Sequence, residues 1–123
     1  FYNKAVLEKA GVSEPKNWDE AIAAMAKVKA AGLIPLAFPG QKTWERNLFN
    51  AVLAGKGGPA LWVGIHGKRD IKLAQSPEFK AVAETYKKLK NYVDPGAPGR
   101  NWNDAAALVI QGKAAMHVNG DWA

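Results

Sequence analysis

Gly112-Lys113-Ala114-Ala115-Met116-His117-Val118-Asn119-Gly120-Asp121-Trp122-Ala123 closes the chain, and its reading decides the fold. A glycine directly after an apolar, helix-periodic segment is the usual stop of a helix. Ala114 to Val118 is an apolar run too short for a helix and reads as a strand. Asn119-Gly120 is a turn signal, and it is followed by an acid and a large aromatic side by side. Helix, strand and turn in this order predict an α/β fold. Immediately upstream, Asn101 or Asn103 caps the helix that runs from Trp102 or Asp104 to Gln111. A second extended run, Leu33 to Phe38, contains Pro35, which places it near a sheet edge or a strand start. The two runs are expected in one sheet, paired with each other or with strands outside this chain, because two short strands alone are marginal.

The remaining signals are helical. Lys4 to Ala10 reads as a short helix closed by Gly11. Asn17-Trp18-Asp19-Glu20 is a capping box, with Asn17 at the cap and Glu20 reaching back. Trp18, Ile22, Met25 and Val28 then mark one buried face, and Gly32 ends the helix. Thr43 is expected to cap a third helix with Trp44, Leu48, Phe49 and Val52 on its apolar stripe, broken at Gly55 to Gly58. Pro59 suits the first position of a short helix through His66. Gly67 to Gln75 is polar and reads as a loop. Ser76-Pro77-Glu78 opens a helix whose apolar face is Phe79, Val82, Tyr86 and Leu89. Asp94 to Gly99 is a turn-rich connection. The expected order is helix, helix, strand, four helices, strand, as a single domain over 1–123 without repeats.

A length of 123 residues, 48% apolar and 23% charged, is that of one globular domain. No apolar run approaches a membrane span, and no leader pattern is present. Phe1 at the start and a stop shortly after the turn suggest a piece of a longer protein. There is no cysteine, which excludes disulfides, thiolate chemistry and cysteine zinc sites. The net charge of +6 raises a basic, helical nucleic-acid-binding module as an alternative. The lysines form no stripe, however, and the aromatics fall largely on buried faces. Steep salt dependence would mark that alternative, whereas binding of a neutral ligand responds little to salt.

Catalytic patterns are missing. Ser13 and Ser76 sit where caps or turns are expected, and no nucleophile elbow occurs. His66 and His117 lack metal-ligand spacing and read as surface or strand-face residues. Gly55-Lys56-Gly57-Gly58 lacks the ending of a phosphate loop. Asp19 and Glu20 are explained by capping, and a glycosidase would need a second carboxylate opposite Asp121. Of five tryptophans, Trp18 reads as core and Trp62 as packing. Trp44 opens a helix after a loop. Trp102 and Trp122 stand at element ends beside polar residues, where a ligand contact is the better reading. An indole covers the apolar C–H face of a pyranose, and a neighbouring carboxylate such as Asp121 accepts hydrogen bonds from its hydroxyls.

Several stretches together resemble the extracellular solute-binding proteins of sugar ABC transporters, the maltose-binding-protein-like superfamily. They are Phe1-Tyr2-Asn3-Lys4, Pro15-Lys16-Asn17-Trp18-Asp19-Glu20, Leu33-Ile34-Pro35-Leu36, Tyr92-Val93-Asp94-Pro95-Gly96 and Gly112 through Ala123. Asp94-Pro95-Gly96-Ala97-Pro98-Gly99-Arg100-Asn101-Trp102 with the Asn119-Gly120-Asp121-Trp122-Ala123 ending resembles the glucose- and mannose-binding branch. The resemblance implies a mostly helical α/β lobe with a small sheet, a type II periplasmic-binding-protein-like fold, and a fragment of its C-terminal lobe. It implies no enzyme, no cofactor and no metal. It implies a neutral monosaccharide, glucose or mannose, held between two lobes and delivered to membrane permease subunits by a periplasmic or lipid-anchored parent, with no nucleic acid and no membrane insertion of this segment. By the same resemblance Trp122 is a sugar platform, Trp102 faces the cleft, Asp121 binds sugar hydroxyls, and Trp44 contributes to the site, with Glu45 a lesser candidate.

Overall fold

Side-chain caps set where the helices begin. A computed structural model describes residues 1–123. Helix α1 (Lys4–Lys9) starts at Asn3, whose side chain accepts from the Val6 amide. In α2 (Trp18–Ala30) the Asn17 side chain accepts from the Glu20 amide. The Glu20 carboxylate reaches back one residue further than expected, to the Lys16 amide at 2.8 Å and to the Asn17 side-chain amide at 3.1 Å. Ser76 caps α6 (Pro77–Leu89), and Asn101 caps α7 (Trp102–Ile110). Such caps satisfy amides that have no partner within the helix and contribute about 1 kcal/mol each.

Two expectations are corrected and one holds. Helix α3 (Lys42–Val52) begins a residue before Thr43, at Gln41, without a side-chain cap. The break expected at Gly55 to Gly58 falls at Gly58, whose φ of 78° ends the helical run. Residues Leu53–Gly57 widen into a π turn that leads into α4 (Gly58–Trp62), and a second π turn follows at Val63–Gly67. The segment read as a loop contains a short helix, α5 (Ile71–Ala74), capped by the Asp70 carboxylate. A four-residue helix has no room to show periodicity.

Strands β1 (Ile34–Leu36) and β2 (Ala114–Met116) pair in parallel, Ile34 opposite Ala114 and Leu36 opposite Met116. They are shorter than the apolar runs that announced them. Parallel neighbours need a long crossover, and α3 to α7 form it. Single bridges widen the sheet on both sides. Val93 joins Leu36, and Tyr2 joins Met116 antiparallel.

The core gathers Val6, Leu7, Met25, Val28, Leu36, Leu48, Val52, Leu53, Leu61, Val82, Leu89 and Met116. Helix α2 packs on β1, and α6 packs on α3 and the first π turn. Burying a side chain of this size contributes roughly 1.5–3 kcal/mol. A second, smaller cluster of Ala37, Ala105, Val109 and Ala114 seats α7 against the sheet. Small residues there let the backbone of α7 approach closely, which brings its N-terminus to the ends of both strands. No helix is long and apolar enough to cross a membrane.

Candidate functional site

Both strands point their C-terminal ends at the same region, the edge of a parallel sheet where α/β proteins commonly hold ligands. Three segments meet there: the loop from β1 into α3, the Asp94-to-Arg100 loop into α7, and the turn after β2.

The first two segments are tied together. Gly40 and Pro98 form a bridge, and the Gly40 amide donates to the Ala97 carbonyl at 3.0 Å. A Cβ at Gly40 would run into the Ala97 carbonyl group and lie 3.0 Å from the Pro98 Cα, so this crossing needs glycine. Within the second loop the Arg100 guanidinium makes a two-pronged pair with Asp94, at 2.7 and 2.6 Å. That hydrogen-bonded pair holds the Asp94 carboxyl below its ordinary value, against the opposing effect of burial. The Asp94 carboxylate also accepts from the Gly96 amide. The loop is therefore fastened at both ends before α7 begins.

This frame sets the indoles. The Asn101 side-chain oxygen accepts from the Trp102 amide at 2.8 Å, as a cap does, and from the Trp44 indole N–H at 3.1 Å. One atom thus starts α7 and orients a ring on α3. Trp44 and Trp102 meet edge to face with centroids 6.4 Å apart. Trp122 completes the group, 5.1 Å from Trp102 and nearly perpendicular to it, and 5.6 Å from Trp44. Edge-to-face packing suits the ring quadrupoles. Trp44 and Trp102 are half-buried, and Trp122 is 57% exposed.

The turn that carries Trp122 lies one residue later than Asn119-Gly120 suggested. The Ala123 amide donates to the Gly120 carbonyl, so Asp121 and Trp122 are its central residues. The Trp122 indole folds back over Gly120, where a Cβ would meet its Cδ1 at 2.8 Å. Asp121 is exposed in the same turn. Of the four candidates, the structure brings Trp44, Trp102 and Trp122 into contact and sets the Asp121 carboxylate in the turn beside them. Glu45 points elsewhere. It lies close enough to Tyr86 to help raise the phenol's pKa, burial being the larger cause.

His117 was expected on the surface or a strand face, yet it is 1% exposed, directly beyond β2. It bonds the Ala37 carbonyl through Nδ1 at 3.0 Å and the Asn119 amide group through Nε2 at 3.3 Å. Burial lowers its pKa, partly countered by the hydrogen bond to the Ala37 carbonyl. Asn101, Asn119 and His117 were not read as site residues. Asn101 alone carried a signal, as a cap standing directly before a tryptophan.

Other concavities lie away from the indoles. A cavity of about 330 Å³ opens between Phe1, Tyr2, Glu14, Trp18, Gly55 and His117. Lys87, Lys88 and Lys90 share a shallow hollow with Glu84 and Asn91 and no aromatic side chain. No group of His, Asp or Glu is placed to hold a metal ion.

A helical lobe on a small parallel sheet carries three packed indoles at its strand ends, with Asp121 in the turn of one of them. The chain belongs to the bacterial extracellular solute-binding proteins, whose family model matches residues 1–123. It is 43% identical over 123 residues to a probable sugar-binding periplasmic protein of Mesorhizobium japonicum, covering all of this chain and 30% of the relative. The chitin oligosaccharide binding protein superposes with a TM-score of 0.84 at 30% identity, over 98% of this chain and 31% of that one. A bacterial solute receptor with an exclusive preference for β-D-galactopyranose superposes at 0.80 and 28% identity, over 97% of this chain and 30% of that one. The chain thus spans about a third of the length of these relatives.

Proposed function

We propose that this chain is one wall of a sugar site, within a longer protein that captures a neutral sugar outside the cytoplasmic membrane and hands it to the permease of an ABC transporter. The chain is read as a single unit, part of the C-terminal lobe, with the other wall supplied by a second lobe. The observation that carries the reading is the mutual packing of three indoles at the strand ends, with the exposed Asp121 in the turn of one of them. Indole faces favour the C–H side of a pyranose and desolvate it cheaply. Asp121 accepts two hydroxyl hydrogen bonds, which fixes orientation.

The names of the relatives favour carbohydrate as the ligand class and the periplasm as the place. Within that class the recess suits a single hexose ring, and glucose or mannose is the finer assignment. The test is calorimetry of the longer protein against D-glucose, D-mannose, D-galactose, D-xylose and chitobiose in low and high salt. Tight glucose or mannose binding that barely responds to salt is expected. Binding of DNA or RNA that weakens steeply with salt, with no sugar bound, would replace this reading with the nucleic-acid one.

A further inference from the structure

The turn that presents Asp121 and Trp122 has few fastenings of its own. Its one internal bond is Ala123 to Gly120, and both central residues are exposed. A line of hydrogen bonds connects it to the sheet. The Gly120 amide donates to the Asn119 side-chain oxygen at 2.9 Å. With that oxygen engaged, the end of Asn119 facing the imidazole is its NH₂, a donor. His117 Nε2 must therefore be the acceptor, so the proton sits on Nδ1 and is donated to the Ala37 carbonyl at the end of β1. Each group in this line has one role open to it. Only a side chain that donates at one atom and accepts at another can bridge Ala37 to Asn119, and neutral histidine does both.

We propose that His117 and Asn119 are positioning residues for the sugar site: they tie the turn holding Asp121 and Trp122 to β1, across the paired strands. The proposal rests on the sugar-site reading above. It explains why the histidine two residues before Asn119 is almost wholly buried. It also explains why Asn119 is half-buried, its side chain spanning His117 and Gly120. A second proton on His117 would set an N–H against the Asn119 NH₂, two donors face to face, and the line would part at that point. The groups that share the surroundings of His117 are the Phe1 nitrogen, which donates to its carbonyl, and Tyr2, Glu14 and Lys16 around the neighbouring cavity; Ala37 and Asn119 present uncharged groups.

Two substitutions separate the halves of the bridge. In His117→Asn the short amide can donate to Ala37 but offers no acceptor where Nε2 stood. In His117→Gln the longer amide can accept from Asn119 but gives up Ala37. Amide hydrogen exchange at Gly120, measured without sugar, and D-glucose affinity of the longer protein are the readouts. His117→Asn and Asn119→Ala are each expected to speed Gly120 exchange and weaken glucose about tenfold, the loss of roughly one hydrogen bond. The double variant should be no worse than either single one, because both cut the same line. His117→Gln, which keeps the Asn119 contact but cuts the line at Ala37, should likewise speed Gly120 exchange and weaken glucose. In wild type, Gly120 exchange corrected for intrinsic rate should rise as pH falls, and this rise should vanish in His117→Asn. Wild-type Gly120 exchange in Asn119→Ala, additive losses in the double variant, or a His117→Gln that binds glucose as the wild type does would each overturn the proposal. Asn119→Ala carries the test if His117→Asn fails to fold. If the wild-type protein binds no sugar at all, the sugar-site reading falls, and Gly120 exchange still decides whether this line holds the turn.

Discussion

Trp18 and Trp122 carry the same ring and are expected to fail in opposite ways. Trp18 packs against the core, donates to the Ala51 carbonyl at 3.2 Å and lies over Gly55. Trp18→Ala should cost about 3 kcal/mol in urea unfolding, the low end for a large aromatic removed from a packed site, and leave the recess intact. Trp122→Ala removes a largely exposed ring, so stability should hold within about 0.5 kcal/mol while sugar affinity falls. Asp121→Asn should weaken sugar ten- to a hundredfold, since hydrogen bonds to a charged acceptor contribute roughly 1.5–3 kcal/mol. Paired melting and calorimetry on the three variants check all of this. The acid response has two parts. The His117 pKa is lowered on folding, so the unfolded chain takes up protons first. Its contribution is whole above about pH 6.5 and drains away as pH falls below that toward the folded value. The Asp94 pKa is also lowered, so the Arg100 pair contributes above about pH 3.8 and is lost as pH falls through the folded value. Denaturation followed from pH 8 to 3 should show both declines, with His117→Asn removing the upper and Asp94→Asn the lower. The indoles were legible because a large aromatic at an element end beside polar residues is conspicuous. The groups that orient them were not, because Asn101 meets Trp44 across 57 positions and His117 meets Ala37 across 80.

At the scale of elements, the legible parts are those whose signal is local. Asn17, Ser76 and Asn101 announce helices because a cap acts on amides two or three residues away or fewer. The strand runs announced themselves by apolar character but not by length, since only the residues that find a partner in register pair. The π turns carry no signature of their own in the sequence, where glycine has only a cost in a helix while its surroundings are unknown. Their glycines serve close packing. A Cβ at Gly57 would lie 3.2 Å from Val82 Cγ2 and closer still to the Leu61 side chain, both core residues. Gly57→Ala is therefore expected to destabilise the protein by about 1–3 kcal/mol, as overpacking does, despite alanine's better helix propensity. A thermal melt that rises with Gly57→Ala would show that this turn tolerates an ordinary helix.

At the scale of the whole molecule, the recess has one wall in this chain. Trp122 presents more than half its surface to solvent, Asp121 is exposed, and the chain spans 30% of its Mesorhizobium relative. A sugar resting on this wall would keep its other face in water. Binding sites that hold small ligands tightly bury most of the ligand, and a two-lobed protein does so by closing a hinge around it. Removing half the burial and half the hydrogen bonds removes several kcal/mol, and every ~1.4 kcal/mol is tenfold in affinity. The 123-residue chain alone should therefore bind D-glucose at least a thousandfold more weakly than the longer protein, a ratio that follows from about 4 kcal/mol of lost contact. Calorimetry of both against the same sugar measures it. Equal or submicromolar affinity in the chain alone would mean that the three indoles and Asp121 close on the sugar by themselves, and the two-wall description would be wrong.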